Sequence, residues 1–468
     1  MRRKKLRGHC SQLQRIMTNL TPVVTRFAPS PTGKFHVGGI RSALYNYLYA
    51  KKHHGKFILR CEDTDPVRSK KEYEEYFLEV FTWLGLSYDE YYRQSERTAI
   101  YKKYLERLIA EGKAYISKEE PKEEGKRAEV IRFKNPNTMI TFHDQVLGDI
   151  TVNTTDLGDF VIARELESPL YHFTVVVDDF EMGITHIIRG QEHVSNTPRQ
   201  ILIQEAIGAP RPTYAHASII LNESRAKLSK RDPLVRPALE YRDEGYLPEA
   251  MLNFMALLGW NPGTEQEIFT LSELTEAFTF ERMQKPGAIF NPEKLEWINK
   301  EHIKRLPQET LVKTIAAFLP ETITQNPSYS TEKLATLAPL LLERVTHFGQ
   351  LKEMAEAGDI GYYFQAPAYA KEKLFWKDER DVTKLKERLL KVRELMSALP
   401  ETSFTREEVK NALWAYAEGE GRGQVLWPLR YALSGRDKSP DPFQLAEILG
   451  KPETLLRIDH ALQFPNES

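Results

Sequence analysis

Residues 23–65 change hydrophobic period twice within one short stretch, and this confines the fold more than any other feature. Val23 and Val24 lead through Thr25, Arg26, Phe27 and Ala28 into Pro29, which reads as a short buried strand ending in a prolyl turn. The turn is "PTGKFHVGG", residues 31–39, with three glycines, His36 and Lys34. Ile40, Leu44, Tyr47 and Leu48 then recur at helical spacing, with Gly39 near the start and Gly55 read as the stop. "KFILRCEDTD" returns to a strand, ending in carboxylates. Strand, glycine-bearing turn, helix and strand make a βαβ unit whose turn offers backbone N–H groups to an anion at a helix N-terminus. On these residues alone, phosphate binding competes with plain turn chemistry and His36 with a surface histidine.

The chain has 468 residues, 41% of them apolar, enough for about three domains. No apolar run reaches the length of a membrane span, so no membrane partner is expected. Cys10 and Cys61 cannot supply a disulfide framework or a four-cysteine metal site; a reducing, cytoplasmic setting without structural zinc is expected. Net charge is −1, but residues 1–16 hold six basic and no acidic residues, leaving −7 on the body. A nucleic-acid partner must therefore be held by local basic patches. The leader lacks a signal-peptide apolar core; targeting segment and RNA-binding arm are alternatives, and it is read as lying outside the fold, before Met17.

In "YHFTVVVDDFEMGITHIIRGQEHVSNTPRQ", the β-branched run Val175, Val176 and Val177 predicts a strand buried on both faces and ending at Asp178 and Asp179. "GITHIIRG" predicts another, carrying Arg189; Ser195, Asn196 or Thr197 then caps a helix with Pro198 early and Gly208 as its stop. Taken singly, Asp178 and Arg189 read equally as turn and solvent residues. "AKLSKRD", residues 226–232, sets Lys227 and Lys230 around Leu228 and Ser229, either as a solvated face or as a loop aiming two ammonium groups at one polyphosphate.

"RFAPSPTGKFHVGG" followed by "KLSKR" resembles the two signature motifs of class I aminoacyl-tRNA synthetases, and with "EDTD", "VVVDD" and "IRGQEH" the chain is similar to bacterial glutamyl-tRNA synthetases. "QVLWPLRYALSG" and "LAEILGK" resemble that family's C-terminal helical region. Gly39 stands where the general class I motif has a second histidine, as is usual in the glutamyl branch. Around "GKAYISKEEPKEEGKR", where many relatives carry a cysteine-rich zinc knuckle and a longer connection, this chain is short and has no cysteine.

The resemblance implies an α/β and α fold: a Rossmann-type parallel sheet interrupted by an α+β acceptor-binding insertion, then an all-helical anticodon-binding region. The expected boundaries are 17–88 and 164–225 for the sheet halves, 89–163 for the insertion, 226–310 for the lysine loop and stem-contact helices, and 311–468 for the helical region. It implies that glutamate attacks the α-phosphorus of ATP, and that a ribose hydroxyl of tRNA(Glu) then takes the acyl group. His36, Lys227 and Lys230 are the implied catalytic groups, because both steps develop negative charge on oxygen. Thr32, Gly38, Gly39, Glu192 and Leu228 join them around ATP, with Mg²⁺ sharing the phosphate charge. Arg26, Ala28, Ser30, Glu62, Tyr171 and Arg189 are implied around glutamate, with Glu62 facing the ammonium. Arg344 is implied near the anticodon, against the alternative of a solvent-facing helix charge, and a monomer is expected. "EDTD" read as a D-x-D metal site of a nucleotide-sugar transferase would explain neither the histidine turn nor "KLSKR".

Overall fold

A computed structural model describes residues 22–119, 129–228 and 236–463 and divides the chain into two units, Met1–His302 and Ile303–Ser468. The basic leader and Lys230 lie outside the described residues.

In the first unit, β1 (Val24–Phe27), α1 (Val37–Lys52) and β2 (Lys56–Cys61) form the expected βαβ unit, with β1 and β2 parallel. Its helix is the centre of the core: Val37, Ile40, Ala43, Leu44, Tyr45 and Leu48 are all fully buried. α1 ends at Lys52, and Gly55 lies three residues beyond, where a Cβ would come within 2.0 Å of the Val23 carbonyl oxygen. Gly55 is thus required for space at the return to β2, rather than for a left-handed conformation.

After α2 (Lys71–Leu84), β3 (Glu90–Arg93) pairs in parallel with β2, completing a sheet of order β1-β2-β3. The stretch from Tyr92 to Tyr115 is the end of β3, a 3-10 turn and α3 (Thr98–Ala110) running into β4 (Ala114–Lys118). β3 also lies beyond residue 88, where the first half of the sheet was expected to end. The reason is local: Ser95 donates its N–H and hydroxyl to Asp63 (2.8 and 2.6 Å), turning the chain before the helix.

The insertion continues with β5 (Glu129–Phe133), β6 (Met139–Asp144), β7 (Gly148–Asn153), β8 (Phe160–Glu165) and β9 (Ser168–Pro169). β4, β5, β8 and β9 form one antiparallel sheet, whereas β6 and β7 join the strands that follow the insertion.

Next comes the main departure from expectation. Val175–Val177 are not a strand but the middle of α4 (Tyr171–Glu181). A short buried apolar run does not reveal its period, and the two aspartates decide the matter. Asp178 and Asp179 both approach Arg60, at 3.8 and 2.8 Å. Adjacent residues lie about 100° apart on a helix but on opposite faces of a strand, so only a helix lets neighbouring carboxylates share one guanidinium.

β10 (His186–Gly190) pairs in parallel with β11 (Thr213–Ala217), and α5 (Thr197–Ile207) connects them, with Pro198 in its first turn and Gly208 closing it at φ 71°. Asn196 occupies the cap position without a capping side-chain bond. Thr185 ties β10 to β1 by donating its N–H to Val24 O (3.0 Å) while its hydroxyl accepts the Val24 N–H (2.8 Å). β12 (Ile220–Leu221) pairs with β13 (Ala288–Ile289), and between them lie α6 (Ala238–Asp243), α7 (Pro248–Leu257) and α8 (Leu271–Ala277); α7 and α8 pack on α1.

The second unit is helical throughout its described residues. Arg422–Ser434 packs against Pro442–Leu462, which kinks at Gly450 (φ 78°). Buried Arg457 donates to the Tyr362 carbonyl (2.7 Å) and pairs with Glu453 (2.7 Å). No described helix is long and apolar enough to cross a membrane.

Gly55→Ala is expected to destabilise the first unit by about 1–3 kcal/mol, because the new methyl group displaces β1 backbone. Urea denaturation checks this; a midpoint equal to that of the unaltered chain would contradict it.

Candidate active site

Two neighbouring cavities of the first unit collect the residues singled out above. The larger, about 460 Å³, is lined by His36, Gly38, Gly39, Arg41, Ser42, Gly190, Glu192, Ile219, Ile220, Lys227 and Leu228. The smaller, about 260 Å³, is lined by Arg26, Ala28, Ser30, Glu62, Tyr171 and Arg189, together with Phe27, Ser42, Val175, Ile188, Gly190, Glu192 and His193. Ser42, Gly190 and Glu192 belong to both. Thr32 lines neither; its N–H bonds back to Ser30 O (2.8 Å).

The larger cavity opens on the N-terminus of α1. His36 occupies the cap position with extended backbone and makes no side-chain capping bond, and the first turn has no acidic residue, so the positive end of the helix dipole is not neutralised from within. Gly38 and Gly39 supply closeness. A Cβ on Gly38 would touch the His36 ring at 3.3 Å, and one on Gly39 would penetrate the Phe35 ring at 2.3 Å. Opposite, Leu221 bridges Lys227, and Leu228 N–H bonds Ile220 O (2.9 Å), so a tight turn presents exposed Lys227 to the cavity.

The smaller cavity rests on a buried ionic cluster. Arg26, from β1, donates Nε–H to Asp179 (3.1 Å). Arg60, from β2 and wholly buried, donates to Asp179 (2.8 Å) and to Glu62 (3.1 Å). Asp178 accepts from Gln94 (2.8 Å), Arg97 (2.7 Å) and Tyr101 (2.7 Å). Asp178 is therefore a structural anchor and not a solvent residue. Burial opposes the ionisation of Asp179, yet Arg26 and Arg60 hold its carboxyl below the usual range. Burial pushes Glu62 upward against the pull of Arg60. Arg189 is buried in β10 and donates to His216 Nε2 (3.1 Å) and Thr197 Oγ1 (2.8 Å); it pairs with neither Asp178 nor Glu192.

Sequence reading missed Arg41 and Arg60. Each is a lone arginine on an otherwise apolar face, of α1 and β2, and that is the signal that would have found them. Arg41 reaches the carbonyls of Leu258 (3.0 Å) and Ser218 from the floor of the larger cavity. Asp63 and Asp65 are engaged with Ser95 and Arg68, and no group of three potential metal ligands occurs among the described residues. Arg344 belongs to the second unit, where it is half exposed and paired with Asp359.

Burial pushes His172, His186 and His193 down to about 4. In the unfolded chain each titrates near 6.5, so between that pH and about 4 the unfolded state binds more protons and stability falls on acidification. His186→Gln is expected to make the dependence of unfolding free energy on pH shallower across 6.5 to 4. Denaturation at several pH values reads this directly, and an unchanged slope would refute it.

Comparison with known proteins agrees with this geometry. Residues 22–129 and 117–297 match the catalytic domain of class I tRNA synthetases (E and Q), and residues 309–462 match an anticodon binding domain. The glutamate–tRNA ligase of Desulforamulus reducens is 38% identical, covering 94% of this chain and 99% of its own, and that of Aquifex aeolicus is 39% identical over 95% and 99%. A crystal structure of the Elizabethkingia meningosepticum glutamate tRNA ligase in complex with its amino acid superposes with a TM-score of 0.84 at 34% identity, covering 95% of this chain and 99% of that one. With two domain models in order and relatives matched along nearly their whole length, the chain belongs to the class I glutamyl- and glutaminyl-tRNA synthetase family.

Proposed function

We propose that this chain joins L-glutamate to tRNA(Glu) at the expense of ATP, through a glutamyl-adenylate, releasing pyrophosphate and AMP. One observation carries the reading: a small cavity lined by the guanidinium groups of Arg26 and Arg189 and the carboxylates of Glu62 and Glu192 adjoins a larger one, sharing Glu192, that is lined by His36, Arg41, Lys227 and the N-terminus of α1. Glutamate has two carboxylates and one ammonium, and the small cavity offers Arg26, Arg189 and Glu62. We assign Glu62 to the ammonium and Arg189 to the side-chain carboxylate. Ala28, Ser30 and Tyr171 complete the enclosure.

In the first step the α-carboxylate oxygen forms a bond to the α-phosphorus and the bond to pyrophosphate breaks. Charge moves onto the leaving oxygens, so preorganised cations and N–H donors do most of the catalysis. His36, Lys227, the α1 N-terminus and, from outside the described residues, Lys230 are assigned to that charge. Mg²⁺ arrives with ATP as part of the substrate; among the described residues Glu192 is the one carboxylate lining the larger cavity, which suits an ion held mainly by phosphate oxygens. Residues 309–462, by their family match, are assigned to the anticodon end, with Arg344 among the candidates. The enzyme is proposed to act as a cytoplasmic monomer. A version that also charges tRNA(Gln) differs only in tRNA choice. A small-molecule nucleotidyltransferase would have no use for the second unit.

Purified protein with glutamate, ATP and total tRNA should charge tRNA while producing AMP; absence of charging would refute the assignment. Lys230→Ala is expected to lower glutamate-dependent pyrophosphate exchange, measured with tRNA present, by about 10²-fold or more with unchanged circular dichroism. An unaltered rate would remove Lys230 from the chemistry.

Glutamine is nearly isosteric with glutamate, so volume cannot separate them but charge can. Against Arg189, its amide sets donor against donor and leaves a buried cation underpaired. Arg189→Ala should lose most glutamate activation and narrow the glutamate-to-glutamine ratio of kcat/KM. A ratio unchanged by the substitution would show that Arg189 is not the discriminator.

A further inference from the structure

Arg189 is held by groups that no motif announces. Asp144, the last residue of β6, contacts His216 of β11, 72 residues away in sequence, and both side chains are fully buried. One Asp144 oxygen, Oδ1, accepts the N–H groups of Val146 (3.0 Å), Leu147 (2.9 Å) and His216 (3.3 Å), while Oδ2 lies 2.5 Å from His216 Nδ1. An ionised carboxylate only accepts hydrogen bonds, so the His216 proton sits on Nδ1 and Nε2 presents a lone pair. That lone pair receives Nε–H of Arg189 at 3.1 Å, and Nη2 of the same guanidinium donates to Thr197 (2.8 Å). Nη1 has no hydrogen-bond partner among the described residues, on a side chain that lines the small cavity. Burial and the Asp144 contact bear on the ring in opposite senses, and burial prevails, keeping it neutral.

We propose that Asp144 and His216 form a positioning relay that sets the orientation of Arg189 toward the side-chain carboxylate of the substrate amino acid, an inference that rests on the assignment of Arg189 above. The relay works through the tautomer. With the proton on Nε2 instead, two N–H groups would face each other and Arg189 would swing from its place. Asp144 belongs to the segment inserted between the two halves of the sheet, so that segment takes part in amino-acid selection although none of its described residues lines the cavity. A charged anchor in place of His216 would neutralise Arg189; a neutral acceptor fixes its direction and leaves its charge to the ligand.

Asp144→Asn tests the relay with little change of shape. Its amide oxygen keeps the three backbone N–H groups, so its NH₂ faces His216 Nδ1 and forces the proton to Nε2. The glutamate KM is expected to rise about 10-fold or more, as for a misaligned charged contact, with the ATP KM within about two-fold of the unaltered enzyme. His216→Gln, the conservative variant, offers an amide oxygen to Arg189 whatever stands at 144. It should hold the glutamate KM within about three-fold, and Asp144→Asn added to it should cost little more. If Asp144 only stiffens the turn at 144–147, its substitution costs the same on either background and raises both KM values, which overturns the proposal. Should Asp144→Asn not fold by thermal denaturation, His216→Leu, which removes the acceptor, is read in its place, and a glutamate KM left unchanged there overturns the relay equally. Arg189→Lys separates the two levels. If it leaves the glutamate KM unaltered, the assignment of Arg189 is at fault; if it raises that KM while Asp144→Asn does not, the relay alone is.

Discussion

The salt bridge between Arg60 and Asp179 is the contact on which the geometry of this catalytic unit turns. Arg60 interrupts an apolar strand and has no access to water, so its charge must be met by the protein. Removing one partner of such a pair costs about 3–5 kcal/mol, because the other is left buried and unpaired. Meeting that need brings α4 against β1 and β2, since Asp179 serves Arg26 and Arg60 together. Asp178, one residue earlier, reaches across to Gln94, Arg97 and Tyr101 and so fixes the start of α3. Elements from both sides of the insertion are thereby locked through one set of charges.

The same cluster decides which charges the small cavity retains. Arg26 is partly satisfied by Asp179 and Glu62 by Arg60, so both are oriented by the protein before a ligand arrives. Arg189 is treated differently: its protein partners are a neutral imidazole and a hydroxyl. Two modes of orientation therefore coexist within one cavity, one by ion pairing and one by neutral acceptors. The second leaves the charge of Arg189 without an anionic partner among the described residues.

Much of this was legible in the residues. The period changes between Val23 and Cys61 predicted β1, α1 and β2, and "GITHIIRG" predicted β10, because those elements are long or strongly patterned. Every residue read around glutamate lines one cavity, as do the described residues read around ATP other than Thr32. What stayed hidden depends on distant partners. The aspartates that make residues 175–177 helical answer an arginine more than a hundred positions earlier. The turn after β3 is set by Asp63, and β6 joins β11 through a single register pair, Tyr214 with Asp144. No local pattern encodes such pairings.

The stretch "KFHVGG" can now be read residue by residue. Phe35 packs edge-on to Phe27, with ring centroids 5.6 Å apart, and also meets Phe81, so the turn is pinned to the core at the residue before the histidine. Its ring then occupies the space in which any side chain at position 39 would begin. A histidine at 39 would require Phe35 to leave, and with it the anchor of the turn. Val37 is fully buried and fixes the first turn of α1 from below, while Gly38 leaves room beside the His36 ring. Anchor, presented ring and cleared space thus alternate within six residues. The glycines are there less for backbone freedom, since neither has a positive φ, than to keep the space beside the His36 ring and the Phe35 ring clear at a helix N-terminus whose first turn holds no acidic residue.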